Sequence, residues 1–237
     1  MIGTRTATAA RAAGVALLAA ATALGPAVVS AHATPDPPRG AGTLYGNPAA
    51  AAPFWRYQGY DDDCVEMAVA DVVGELTGKP PSEQAIVKLA QAAPSTVHAG
   101  PIYTKPKKRK PGAGTSFDDE PALLAHYGIR ATSTDEESAA KTGVPTGMSA
   151  LEQDLAKGRK VIVGVNSEVI WREPVEDKTP DGQPEANHAV VVTGVDTAAG
   201  IVHLNDSGSE EGRDEQVPID LFARSWASSN DQMTVTG

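Results

Sequence analysis

The 237-residue chain has one cysteine, Cys64, which excludes a disulfide framework. It is also short of cations, with 20 Lys and Arg against 30 Asp and Glu, a formal net charge of -10. Phosphate neutralisation demands a basic face, so no nucleic-acid partner is expected. No CxxC or HExxH pair stands ready for zinc, no nucleotide-binding loop is present, and no period repeats along the chain. At 41% hydrophobic and 21% charged, the composition excludes a collagen-like chain, a coiled coil and a wholly disordered protein. It fits one soluble globular domain with a tail.

The one long uncharged run lies at the start. Arg5 and Arg11 precede an uncharged stretch, Ala12 to Val29, with Val15, Leu17, Leu18 and Leu24. Gly25-Pro26 breaks it, and Ala31-His32-Ala33 offers small residues where a signal peptidase reads. Residues 1–33 therefore read as a secretory signal peptide cleaved after Ala33, and the expected location is extracellular or in the cell envelope. An uncleaved anchor ranks lower, because the run is Ala-rich and barely long enough to span a bilayer. No stable membrane insertion is expected after cleavage. The Pro-, Gly- and Ala-rich stretch 34–52 reads as a flexible leader, and 53–237 as the domain.

From Val65 to Leu76, apolar residues recur at helical spacing, with Gly78 and Pro80 as stop signals. Asp61, Asp62 and Asp63 are placed to cap this helix, and Cys64 falls in its first turn. Further helices are expected from Ser82, from Ser116 to Tyr127, and over Leu151–Lys157 with Ser149 and Glu152 as a capping box. Residues 94–115 read as a loop. The pattern then turns to short β-branched runs: Lys160–Asn166, His188–Val195, Ile201–Asp206 and Gln232–Thr236, with a short helix over Pro218–Trp226. Thr197–Gly200 joins two of the strands as a hairpin. Helices first and an antiparallel sheet afterwards make the expected class α+β.

An exported protein usually pairs its cysteines or dispenses with them, so a lone Cys64 invites a nucleophilic role. Thiolates attack carbonyls, and a helix N-terminus favours the anion, whereas the three aspartates oppose that field. A histidine is needed to hold and return the proton, and a third group to hold the histidine. His188 opens a strand, and Asp206 ends its hairpin partner, so the two are expected side by side. Asn205 competes for the orienting role, but alternation points it to the other face. Gln58 lies six residues before Cys64, beside Gly59.

Gln58 and Cys64 on a helix start, followed by NHAVVVTGVD and HLNDSG, resemble the papain-like cysteine peptidases, and the peptidase C39-like family in particular. The resemblance spans roughly residues 54–210. It implies a papain-like fold with a helical N-terminal half packed on an antiparallel half. It also implies roles: Cys64 as nucleophile, His188 as general base and acid, Asp206 as the carboxylate that orients the imidazole, and Gln58 as oxyanion donor with the backbone N–H of Cys64. The sequence departs from the family pattern in Val65 after the cysteine and Ser207 after the aspartate. The expected activity is hydrolysis of peptide or amide bonds in a peptide or protein substrate, with no metal or organic cofactor. Two alternatives stand beside it: a catalytically weak module that binds peptides or envelope components, and a thiol amidase or transferase acting on cell-wall peptides. The basic stretch Lys105–Lys110 reads as a solvated loop.

Overall fold

The computed structural model describes residues 42–105 and 114–237. The expected signal peptide, residues 34–41 of the expected leader and residues 106–110 of the basic stretch lie outside the described residues. Seven antiparallel strands form one sheet: β1 (Leu44–Gly46), β2 (Ala131–Thr134), β3 (Val161–Val165), β4 (His188–Asp196), β5 (Ile201–Asn205), β6 (Arg213–Pro218) and β7 (Met233–Thr236). The order is β2-β7-β3-β4-β5-β6, with β1 added to the far half of β4. Strand β4 lies deepest: its residues from His188 to Val195 are all buried. It is covered on both faces, which is why its sequence is a run of β-branched residues rather than an alternation.

Each face has its own helices. On one face Ile162, Ala189 and Val191 pack with α2 (Cys64–Thr77), α3 (Glu83–Ala92) and α4 (Glu120–His126). On the other, Val161, Val163, Val190, Val192 and Leu204 pack with α6 (Met148–Ala156), α7 (Ser167–Trp171) and α8 (Ile219–Trp226). Two short helices, α1 (Pro48–Ala51) and α5 (Ala139–Thr142), complete the set. The class is α+β, as expected, and helices cover both faces of the sheet.

The helices start and stop for local reasons, with two differences from expectation. Ser82 caps α3 by accepting from Ala85 N–H, and the Gly78 N–H closes α2 on the Gly74 carbonyl. The capping box at Ser149 does not form: α6 starts at Met148 after Gly147, and Ser149 instead accepts a bond from Gln153. Nor does an aspartate side chain cap α2.

The expected leader is corrected over 42–52. Tyr45 and Gly46 pair with Val195 and Gly194 in β4, and Ala51 is buried. The composition that reads as a linker serves this docking. A Cβ at Gly194 would lie 2.7 Å from Pro48, and one at Gly46 would run into the Thr193 carbonyl oxygen, so bulk on either strand would part them. Asn47 accepts from Ala50 N–H and Pro48 fills the first turn of α1.

Candidate active site

The start of α2, the start of β4 and the end of β5 meet at one edge of the sheet. The antiparallel β4–β5 ladder pairs Val191 with Asn205 and Val192 with Leu204. Alternation then carries His188, Val190 and Val192 to the face shared by Leu204 and Asp206. Asn205 points the other way, where its amide donates to Asp71 Oδ2 at 2.8 Å and to the Ala51 carbonyl. Asp206 is thus the residue left to face the histidine.

His188 Nε2 donates to Asp206 Oδ1 at 2.6 Å. The carboxylate is held by two more donors, Gly208 N–H on Oδ1 at 2.7 Å and Trp171 Nε1 on Oδ2 at 2.9 Å, while Trp55 Nε1 ties down its backbone carbonyl. Trp171 also leans on the imidazole, with ring centroids 5.5 Å apart. The space is filled to its limit: a Cβ on Gly208 would lie 2.9 Å from both His188 Cε1 and the Trp171 ring.

Burial favours the protonated form of Asp206, but the charge and hydrogen bond of His188, then Trp171 and Gly208, outweigh it and hold its carboxyl below the usual range. Burial likewise favours a neutral His188. The Asp206 charge and hydrogen bond, and then the Cys64 sulfur, overcome it and push the imidazole up to about 10. The ring is therefore built to carry a positive charge between a carboxylate and the sulfur.

Cys64 is half-buried at the first position of α2, where backbone N–H groups have no partner within the helix. The aspartates beside it are less charged than their number suggests. Asp63 is wholly buried and no donor reaches either oxygen. Burial, then a hydrogen bond to the carboxyl of Glu83 and the charges of Glu83, Glu66 and Asp62, push it up to about 8. Glu66 is pushed up to about 7, chiefly by burial. Asp62 accepts from Tyr103 Oη at 2.7 Å. Near neutral pH, Asp63 is mainly a neutral acid, so the expected field of three carboxylates is reduced.

Gln58 is positioned through Ser207, the neighbour of Asp206. Its N–H donates to the Ser207 carbonyl at 2.9 Å, and its Oε1 accepts from Ser207 Oγ at 2.9 Å. Its Nε2 donates to the Tyr60 carbonyl at 2.8 Å and retains a second N–H. The serine that departs from the family pattern is thus the group that anchors the glutamine.

Two hollows of about 590 Å³ each adjoin the histidine. One is lined by Cys64, Asp62, His98, Thr115 and Phe117, the other by Tyr57, Gln58, Tyr60, Trp171 and Gly208. His188, Asn187 and Asp61 border both. Cys64 thus lines one hollow and Gln58 the other, His188 borders both, and Asp206 is buried behind the imidazole. Trp226 lies in the core, whereas Trp171 belongs to the site. Among the described residues, no group of three or more His, Cys, Asp or Glu could hold a metal ion. None of their helices is long and apolar enough to cross a membrane.

The family model described as Peptidase_C39 like family matches residues 47–234. Uncharacterised proteins of Mycobacterium bovis and Mycobacterium tuberculosis are each 55% identical over 239 residues, covering all of both chains. A Bacillus anthracis crystal structure described as a C39-like peptidase shares the fold at a TM-score of 0.57, with 17% identity over 82% of this chain and 98% of that one.

Proposed function

The chain belongs to the peptidase C39-like family, and on that premise we propose that it is an exported cysteine peptidase. The observation that carries the reading is the buried His188, 2.6 Å from Asp206 and lining the same hollow as Cys64. In the resting site the sulfur holds its electrons as a thiolate and His188 holds the proton. The thiolate attacks the substrate carbonyl carbon, a C–S bond forms, and the carbonyl electrons move onto oxygen. The Cys64 backbone N–H and the second Gln58 N–H stabilise that oxyanion. The imidazolium gives its proton to the leaving amine, the C–N bond breaks, and an acyl-thioester remains. Neutral His188 then takes a proton from water, the hydroxide attacks the thioester, and the thiolate departs. Asp206 keeps the ring oriented and its charge compensated throughout.

The two hollows beside His188 suit an extended peptide lying across Cys64, and a peptide or protein is the proposed substrate. Export rests on residues 1–33; N-terminal sequencing of the protein recovered outside the cytoplasm tests it. The site is tested by the rate of Cys64 alkylation with iodoacetamide against pH. Free thiols are mostly protonated below about 8.5. The native protein is expected to react fast at pH 6 and His188→Ala to lose that limb, and only the native protein is expected to cleave peptides. If both proteins react alike, as ordinary thiols, the enzyme reading fails.

A further inference from the structure

A fifth side chain reaches this site because of a defect in the sheet. Across the β5–β6 ladder Val202 opposes Val217 and Leu204 opposes Glu215, but Asn205 opposes Arg213. Asp214 is the residue left over. It has a left-handed φ of 54°, its N–H donates to Asn205 Oδ1, and its carboxylate meets His203 Nδ1 at 2.7 Å. These bonds hold a backbone conformation that a non-glycine residue seldom adopts.

The bulge decides where Glu215 points. A regular ladder continued from the Asn205–Arg213 pair would set Glu215 opposite His203, on the far face. The extra residue sets it opposite Leu204, on the face of Asp206. There Glu215 Oε2 is buried and no donor reaches it. Asp206 has acceptor capacity to spare, since its Oδ2 takes only the Trp171 bond.

We infer that Glu215 is a positioning residue: its protonated carboxyl, aimed by the bulge, donates a hydrogen bond to Asp206 and holds that carboxylate toward His188. The inference rests on the reading of Cys64, His188 and Asp206 as the catalytic set. One proton satisfies both the orphaned Glu215 oxygen and the open Asp206 lone pair. Burial, then the Asp206 charge, push Glu215 up to about 7, with His188 opposing. The groups that face it are Asp206 past β5 and His188 at the head of β4. On its own strand, Asp214 is paired with His203, and the Arg213 guanidinium lies over the Trp55 ring, 5.1 Å from its centroid. Helix α8 brings the exposed, mutually paired Asp220 and Arg224, and α1 with the turn after it brings no titratable side chain.

The test compares the full chain with Glu215→Gln and Glu215→Ala, using Cys64 alkylation from pH 5 to 9 and the low-field proton resonance of His188 Nε2–H. The glutamine variant keeps a neutral donor, so it should match the native rate at pH 6. It should lack the step that Glu215 ionisation produces near pH 7. The alanine variant should lose about fivefold in the low-pH rate, the worth of one hydrogen bond, and its His188 signal should broaden through exchange with water. The glutamine variant should keep that signal sharp. If all three proteins share one pH profile and one signal, or if glutamine does no better than alanine, Glu215 has no positioning role. The resonance does not depend on the thiol. A Glu215-sensitive signal without a low-pH limb in the native protein would sink the peptidase reading and keep the Glu215–Asp206 bond.

Discussion

Asp63 and Asp206 are the same residue type at the same depth, one next to Cys64 in the chain and one beside His188, and only Asp206 is held as an anion. Both are wholly buried. Around Asp206 converge His188, Trp171 and Gly208, all donating, and its carboxyl lies below the usual range. Around Asp63 stand Glu83, Glu66 and Asp62, no donor reaches it, and it is pushed up to about 8. Burial alone penalises both ions; the donors decide which one survives. The site thus has a permanent anion on the histidine side and a largely discharged acid on the cysteine side. That asymmetry favours a protonated His188.

The sharpest way to break the contrast is to discharge the second acid as well. Asp206→Asn removes the anion that holds the imidazolium while leaving an amide of the same shape. Peptide cleavage should fall by at least about a hundredfold, the scale of acid–base catalysis by one histidine. The pH at which iodoacetamide reactivity sets in should rise with it. A smaller effect is expected from Gly208→Ala, which keeps every charge but places a Cβ 2.9 Å from His188 Cε1 and from the Trp171 ring. Both rings crowd that Cβ, and the expectation is that the imidazole gives way by a few tenths of an ångström. Cleavage should then fall about tenfold, since misplacement by about 1 Å costs about a hundredfold. Steady-state kcat should carry the loss, with KM little changed. A native-like rate in this variant would mean that Asp206, and not its packing, fixes the ring.

How much of this could be read from the residues follows from how locally each feature is determined. Helix α2 and its cysteine were legible because apolar spacing and stop signals lie within a few turns. The approach of His188 to Asp206 was legible because a four-residue hairpin loop fixes which strand ends meet, and alternation separated Asp206 from Asn205. Strands β2 and β6 were not legible. They are edge strands, ATST and RDEQVP, with little apolar pattern to betray them. The strand at Leu44 was hidden for another reason: its Gly and Pro are there for close packing, and in sequence they imitate a linker. Glu215 was invisible because its face depends on one unpaired residue, Asp214, whose left-handed backbone is set by contacts with Asn205 and His203. The neutrality of Asp63 was equally hidden, because a run of three aspartates counts charges without saying how deep each one lies.

Depth and charge together predict how stability depends on pH. Asp63, Asp71 and Glu120 are each pushed up to about 8 and Glu66 to about 7, burial being the leading cause in all four. In each, the folded state holds its proton more tightly than the unfolded chain, which releases it near pH 4. Their contribution is therefore complete below about pH 4 and is lost as pH rises toward 8. His188, raised to about 10, adds a loss between its unfolded value near 6.5 and pH 10. Asp206 acts in the opposite sense: its contribution is present above about pH 4 and is lost as pH falls through its lowered folded value. Urea midpoints should therefore fall from pH 5 to pH 8. Asp63→Asn is neutral at every pH and can still donate to Glu83. Cleavage at pH 6.5 should stay within about twofold of native, and the midpoint at pH 8 should rise by roughly 0.5 M, the equivalent of about one hydrogen bond. If Asp63→Asn instead abolished cleavage at pH 6.5, the acid beside Cys64 would be a working anion, and the contrast with Asp206 would collapse.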